Sequence, residues 1–529
     1  MARSRHLPLP RAFLEPKQAN AHWKPDESRR SEWMADWSEI EALKRTPLTE
    51  LFAADPDRLA KYSADVAGIH FDWSKTHLTD DSMRAFERLA KACDLAGKRE
   101  ALFSGQVINT TEDRAVTHTA ERGEGAEDDV AKAQALHARM RALIDAIEAG
   151  ALGPIRNILH VGIGGSALGP DLLCDALGRD ETRYDVAIVS NVDGVALEDV
   201  FKRFDPATTL LAVASKTFTT TETMLNAESV LQWMREGGVD DPYGRVVALT
   251  AEPDKAIEWG VDETRVLPFA DTVGGRYSLW SSIGFPAAIS LGWDAFSELL
   301  EGAAEMDRHF RLAALHENVP VLAAFSDLLY TQTFGCETRG VFCYDERLRL
   351  LPSYLQQLEM ESNGKGVTLD GQPVGRPTAA ITWGGVGTDA QHAVFQLLHQ
   401  GTHLVPLEFI GVVEPGDTLA EDHHKALLTN MFAQGAALMK GKVTPDDLAR
   451  AYPGDRPSTT LLLDDLDART LGALIAYHEH RVFVNGVLLN INSFDQFGVE
   501  LGKEMAKAAQ KGGEDFDVST TDLLKRAFG

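Results

Sequence analysis

The spacing of apolar positions changes character along the chain. Up to about residue 120 it is helical, with Trp33, Trp37, Ile40 and Leu43 recurring at three- and four-residue intervals. Thr46 and Pro47 then read as the cap and first position of a further helix carrying Leu48, Leu51 and Phe52. From Asn157 the pattern becomes short, almost continuously apolar runs separated by helical stretches: NILHV (157–161), DVAIVS (185–190), TLLAVAS (209–215), RVVALT (245–250) and RVLPF (265–269). Strands buried on both faces have this composition, and the intervening helices supply the cover. A helical stretch from about 295 to 333 leads into a second series, GVFCY (340–344), AAITW (379–383) and LVPLEFIGVV (404–413). Helices are expected near 350–362, 389–400 and 421–440. The predicted class is α/β, two doubly wound parallel-sheet domains with an N-terminal helical arm and a C-terminal tail. Residues 1–120 form the helical region packing on the larger domain, 121–290 and 291–512 the two α/β domains, and 513–529 a polar, weakly helical tail.

Composition narrows the class. Hydrophobic residues at 44% and charged residues at 25% are ordinary globular usage, which excludes extensive disorder. The formal charge of −27 argues against nucleic acid as a partner. No run approaches the ~18 apolar residues of a membrane helix. Pro8 and Pro10 interrupt the basic N-terminal stretch, and no apolar segment of signal-peptide length follows. Cys93, Cys174, Cys336 and Cys343 contain no C-x-x-C pair and are too few for a disulfide framework, so a soluble cytoplasmic protein is expected.

Two strand ends carry candidate ligand chemistry. VGIGGSALGP (161–170) follows a strand and opens a helix, with Gly162 and Gly164 allowing a tight turn and Gly165 and Ser166 presenting donors at a helix start. Gly162 to Ala167 also fits G-x-G-x-x-A, and Asp193 follows the next strand, so a dinucleotide, another phosphorylated ligand and a purely structural turn all stay open. SKTFTTTET (215–223) gathers Ser215, Thr217, Thr219, Thr220 and Thr221 with Lys216 before a helix, where the dipole favours an anion. Thr219 and Glu222 have capping-box spacing, but a cap leaves most of these hydroxyls unexplained. A phosphate monoester suits the loop despite the chain's charge, because exposed charges beyond ~8 Å are screened.

Acid–base candidates lie in the second half. PSYLQQLEMESNGKG (352–366) reads as a helix carrying Gln357 and Glu361, with Glu361 near its C-terminus, where the dipole nudges a carboxyl pKa upward, although this stretch by itself favours an exposed helix-end glutamate. TDAQHAVFQLLHQGTH (388–403) starts with Thr388 and Gln391 at capping-box spacing and puts His392 in the first turns, where neutral imidazole is favoured. His399 and His403 form H-x-x-x-H, but Gln400 stands where a zincin needs glutamate, so no metal is expected. INSFDQFGVELGKEMAK (491–507) has Ser493 and Gln496 at cap spacing and Lys503 two turns beyond, a polar face that could meet a ligand.

Together these segments closely resemble the glucose-6-phosphate isomerase family. The resemblance runs in order through INTTEDRAVTHTA (108–120), VGIGGSALGP, SKTFTTTET, GGRYSLWSSIG (274–284), QQLEMESNGK (356–365), GTDAQHAVFQLLHQGT (387–402) and NSFDQFGVELGK (492–503). It implies two sugar-isomerase α/β domains and reversible aldose–ketose isomerisation of glucose 6-phosphate and fructose 6-phosphate through a cis-enediol, without cofactor. It also implies roles for particular residues. Glu361 matches the base that shuttles the proton, and Arg276 the cation that stabilises the enediolate. His392 and Lys503 match the ring-opening pair, His392 coming from the other subunit of a homodimer. Ser215, Lys216, Thr217 and Thr220 match the phosphate loop, and Gly165, Ser166, Gly275, Gln357 and Gln496 line the substrate. Thr117 and Thr119 flank His118 where more apolar neighbours are expected, leaving His118 unassigned. The competing readings are an NAD-dependent dehydrogenase built on the glycine turn and a non-catalytic phosphosugar-binding module. The second would have no use for Glu361, His392 and Lys503 together.

Overall fold

Two sheets organise the chain, and their strands are largely the apolar runs that the sequence marks out. The structure, a computed structural model, describes residues 36–179, 182–510 and 516–528. A hairpin of β1 (Ser63–Val66) and β2 (Ile69–Asp72) comes first, then a two-stranded ladder of β3 (Val107–Asn109) and β4 (Arg114–Ala115). The first large sheet uses β5 (Asn157–Val161), β6 (Asp185–Val189), β7 (Thr209–Ala214), β8 (Val246–Thr250) and β9 (Val266–Pro268). Its order is β6-β5-β7-β8-β9 and every pair is parallel. The second adds β10 (Thr338–Tyr344), β11 (Ile381–Val386), β12 (Leu407–Val412) and β13 (Ser458–Leu463) in the order β1-β2-β13-β12-β10-β11. Its β11-β10-β12-β13 portion is parallel, while β2 joins β13 antiparallel and β1 follows antiparallel. All of the expected runs are strands. The helices expected near 350–362, 389–400 and 421–440 are Leu351–Asn363, Asp389–Gln400 and Glu421–Lys440.

The N-terminal region departs from the helical expectation. Residues 63–72 extend the second sheet, with Phe71 buried against Trp73 and Tyr477. The helical turn around Ile40 is only Ser38–Glu41, and Trp33 lies outside the described residues. Pro47 is the N-cap of the Leu48–Ala54 helix, so the helix begins one residue later than expected and Thr46 is not its cap. The free Leu48 N–H is met from far away in sequence, by Asp455 Oδ1 at 2.7 Å.

Burial explains why the sheets are stable. Leu159, Val161, Leu211 and Val213 pack against Val230, Leu231 and Met234 of the Thr221–Glu236 helix. In the second sheet Phe342, Tyr344 and Phe409 meet Phe395, Leu398 and Met431. The Ala468–Leu488 helix is buried almost throughout and lies against the Trp293–Leu312 helix. Its charges are paired rather than solvated, as burial requires. Arg481 bonds Asp327 at 2.7 Å and Glu359 at 3.0 Å, and His480 Nε2 lies 2.6 Å from Asp307. Glu479 accepts from Trp280 Nε1 at 2.9 Å and from Arg122, whose fork also grips Asp307. No helix among the described residues is long and apolar enough to cross a membrane.

Candidate active site

The site begins at the carboxyl ends of β5 and β7, where parallel sheets of this kind expose backbone N–H groups to ligands. After β5, Gly164 takes a left-handed φ of +56°, and the turn passes through a short 3-10 segment (Gly164–Ser166) into the Leu168–Leu177 helix. A Cβ on Gly165 would stand 2.2 Å from the carbonyl carbon and oxygen of Gly275 and 2.5 Å from Arg276 N. The missing side chain is therefore used to bring Gly275 and Arg276 against the turn, which removes the main reason for reading a dinucleotide there. Asp193 is likewise occupied, capping the Gly194–Phe201 helix through Val195 N at 3.1 Å.

His160, fully buried in β5, braces this turn by donating from Nε2 to the Ser166 carbonyl at 2.7 Å. Burial pushes its pKa down to about 4. The unfolded chain takes up this proton first as pH drops below about 6.5, so stability present at neutral pH is lost on the way down to about 4. Between pH 7.5 and 5 this one group is expected to remove about 2 kcal/mol of stability. Denaturant titrations at the two pH values, repeated on His160→Gln, check it: the variant should lose correspondingly less, and an equal loss would refute the assignment.

After β7 comes the hydroxyl loop. Ser215 Oγ and Thr220 Oγ1 are 3.0 Å apart, and Thr217 Oγ1 and Thr219 Oγ1 are 2.9 Å apart. The T-x-x-E capping box does not form: Thr220 is the N-cap residue and makes no side-chain cap bond. The Lys216 ammonium turns to the carbonyls of Asp271 (2.6 Å) and Val273 (2.9 Å), and burial lowers its pKa to about 8. A cation that the sequence reading did not include, Lys255, reaches the Thr217 carbonyl at 3.2 Å.

The centre of the site is Arg276, in a 3-10 turn (Gly275–Tyr277) that follows the first sheet. Its guanidinium is buried and each N–H position has an acceptor. Nε bonds Ser362 Oγ at 2.6 Å, and Nη1 bonds Glu361 Oε1 at 2.9 Å and Gln496 Oε1 at 3.0 Å. Nη2 reaches the carbonyls of Ser493 and, at 3.2 Å, Asp495. The other Glu361 oxygen accepts from Gln357 Nε2 at 2.8 Å, one helical turn away on the same face. Gln357 Nε2 also lies close over Gly164, so the glycine turn, Gln357, Glu361, Arg276 and Gln496 form one cluster.

Several supporting side chains escaped the sequence reading although they sit inside the quoted motifs. Tyr277 Oη pairs with Ser362 Oγ at 2.9 Å. His118, which the motifs left unassigned, packs at a 31° tilt on Tyr277 with ring centroids 4.8 Å apart. Burial, with Arg122 and His480 nearby, holds His118 neutral, well below the usual histidine range. Thr117, beside it, is polar because it pairs with Thr272 Oγ1 at 2.6 Å.

Two expected residues stand apart from the cluster. His392 is exposed on the Asp389–Gln400 helix and Lys503 is exposed on the Glu500–Gln510 helix. Neither makes a side-chain hydrogen bond or ion pair among the described residues. The cap spacings near them serve other contacts. Thr388 makes no side-chain cap bond, and Gln391 lies between Tyr344 Oη at 2.9 Å and Asn430 at 3.0 Å. Ser493 donates to Asn363 Oδ1 at 2.7 Å, and Gln496 precedes the helix, so Gln496 and Lys503 do not share a helical face. His399 Nε2 is 2.8 Å from Gln434 Oε1, and among the described residues no His, Cys, Asp and Glu side chains cluster as a metal site.

A paired-sheet α/β fold with a hydroxyl loop at one strand end and a carboxylate beside a buried guanidinium defines the class as a sugar-phosphate isomerase. Comparison with known proteins agrees. The phosphoglucose isomerase family model matches residues 72–524. The chain is 67% identical to glucose-6-phosphate isomerase of Rhizorhabdus wittichii over 94% of its length and 100% of the relative's. It is 62% identical to glucose-6-phosphate isomerase of Zymomonas mobilis, over 93% of its length and 98% of the relative's. The crystal structure of a glucose-6-phosphate isomerase from Chlamydia trachomatis superposes with a TM-score of 0.84 at 31% identity, covering 92% of this chain and 96% of that one. The chain belongs to the phosphoglucose isomerase family.

Proposed function

We propose that this protein interconverts glucose 6-phosphate and fructose 6-phosphate with Glu361 as the proton carrier. The observation that carries this reading is the fixing of both Glu361 oxygens, one by Arg276 at 2.9 Å and one by Gln357 at 2.8 Å. An aldose and its ketose differ by one proton and the position of one carbonyl. The Glu361 carboxylate takes the proton from C2 as the C2–H electrons form the C1=C2 double bond and the C1 carbonyl oxygen gains the charge. The same carboxyl group returns the proton to C1 as the C2 oxygen becomes the carbonyl, its hydroxyl proton having passed to the C1 oxygen. Arg276 holds its charge beside Glu361 in a buried setting, where it supports the developing oxyanion without reorganising.

The hydroxyls of Ser215, Thr217 and Thr220 hold the phosphate, with Lys216 contributing through the loop rather than through its ammonium. Gly165, Ser166, Gly275, Gln357 and Gln496 line the sugar. Neither rival reading fits as well: the glycine turn packs on its own chain, and a mere sensor has no need of a carboxylate held at both ends. Four unpaired cysteines and the lack of a membrane-crossing helix among the described residues favour the cytoplasm.

His392 and Lys503 open the ring, and their exposure apart from the cluster supports a homodimer in which His392 completes the neighbouring subunit's site. A coupled assay in both directions, run before and after chelator treatment, tests the reaction and its independence of metal. Mixing Glu361→Gln with His392→Ala protein after reversible dissociation tests the shared site. Activity well above that of either inactive parent is expected, because one site of each mixed dimer is then intact. No recovery despite confirmed exchange of subunits would overturn the arrangement.

A further inference from the structure

The Glu361 helix ends beside a lysine that the proposed mechanism does not use. The Lys365 ammonium lies 2.9 Å from the Glu361 carbonyl, 3.0 Å from that of Ser362 and 2.8 Å from that of Asp495. Its three donors are thereby matched by three carbonyls, and the Asp495 carboxylate adds an ion pair at 3.2 Å. Two of these carbonyls belong to the last turn of the Leu351–Asn363 helix, where acceptors lack partners within the helix. The third belongs to the residue directly before Gln496, and it also accepts from Arg276 Nη2 at 3.2 Å. Asp495 is tied a second time, its Oδ2 accepting from Thr111 Oγ1 at 2.7 Å.

A cap alone would need only the helix carbonyls. This ammonium instead joins the main chain of Glu361 itself to the loop that presents Gln496, while Arg276 bridges the same two elements from the other side. We infer that Lys365 is a positioning residue for the isomerisation, holding the Glu361 helix end against the Asp495–Gln496 loop so that carboxylate, guanidinium and amide keep their mutual geometry. The inference rests on Glu361 being the proton carrier.

The test compares wild type, Lys365→Met, Lys365→Arg, Thr111→Val and Glu361→Gln, with thermal unfolding measured on each. A small displacement of a reacting group costs roughly 10²-fold in rate. Lys365→Met is therefore expected to lower kcat about that much with KM changed only slightly, since the hydroxyl loop is untouched. The isotope effect with substrate deuterated at C2 should rise, because proton transfer becomes rate-limiting. Lys365→Arg should recover part of the rate by keeping the charge, although a planar fork cannot serve three converging carbonyls. Thr111→Val loosens the outer tether of Asp495, together with the Thr111 contacts to Asn492 and Asn109, and should shift kcat and the isotope effect in the same direction, which keeps the idea testable should the methionine variant not fold. If folded Lys365 and Thr111 variants turn over like wild type, with a lowered melting temperature and an unchanged isotope effect, Lys365 is only a structural cap and the inference falls. Wild-type turnover in Glu361→Gln would overturn the proton-carrier reading instead.

Discussion

Replacing Glu361 with glutamine is expected to lower kcat by about 10²–10⁴-fold, the range that positioned proton transfer supplies. The substitution keeps the shape and leaves an amide oxygen able to accept from Arg276 Nη1, so that contact survives. At the other end the new amide nitrogen would face Gln357 Nε2, and a flip of the Gln357 amide restores a donor–acceptor pair. The cluster therefore stays assembled while the group that carries the proton is gone. Binding of a phosphorylated hexose, followed by quenching of tryptophan fluorescence, should be nearly unchanged, because the hydroxyls of 215–220 are on a different strand end. Loss of binding together with turnover would mean that Glu361 holds the substrate rather than moves its proton.

How much of this could be read from the sequence depends on where each signal originates. The first sheet was legible because its strands are near-continuous apolar runs with local turn residues between them. β1 and β2 were not, since SADV and IHFD carry polar residues that fit an edge hairpin, and β13, the strand that β2 joins, lies almost four hundred residues on. β13 itself, STTLLL, was missed beside the more obvious helices. The Ala468–Leu488 helix hid for a different reason. His478, Glu479, His480 and Arg481 look like a solvated face, yet all four are buried, three of them paired with Asp307, Asp327, Glu359 and Arg122 from elsewhere in the chain. Spacing rules also misled at the caps: Thr219, Thr388 and Ser493 have the right intervals, but the Thr219 hydroxyl pairs within its own loop with Thr217, that of Ser493 goes to the distant Asn363, and Thr388 makes no side-chain cap bond. Motifs located Glu361 and Arg276. Only the coordinates reveal that Ser362, Tyr277 and Lys365 hold them, because those contacts cross between distant segments.

Arg276→Lys is expected to lower kcat/KM by roughly 10²–10³-fold, as for loss of one preorganised electrostatic group beside developing charge. The charge is conserved but the fork is not, and the acceptors of Arg276 come from two separate segments: Glu361 and Ser362 on one, and Ser493, Asp495 and Gln496 on the other. A lysine ammonium on a different stem has three donors and cannot reach all of them. The Ser493 carbonyl, in a buried residue, would lose its partner, whereas that of Asp495 keeps Lys365, and an orphaned buried acceptor costs about 1–3 kcal/mol. The variant should consequently show a lower denaturation midpoint as well as slower turnover, a pairing not expected of Glu361→Gln, whose hydrogen bonds can be rebuilt. Activity per folded molecule, measured where the variant is fully native, separates the two effects. Near-normal turnover there would show that a positive charge at this position suffices and that the guanidinium fork contributes nothing to the rate.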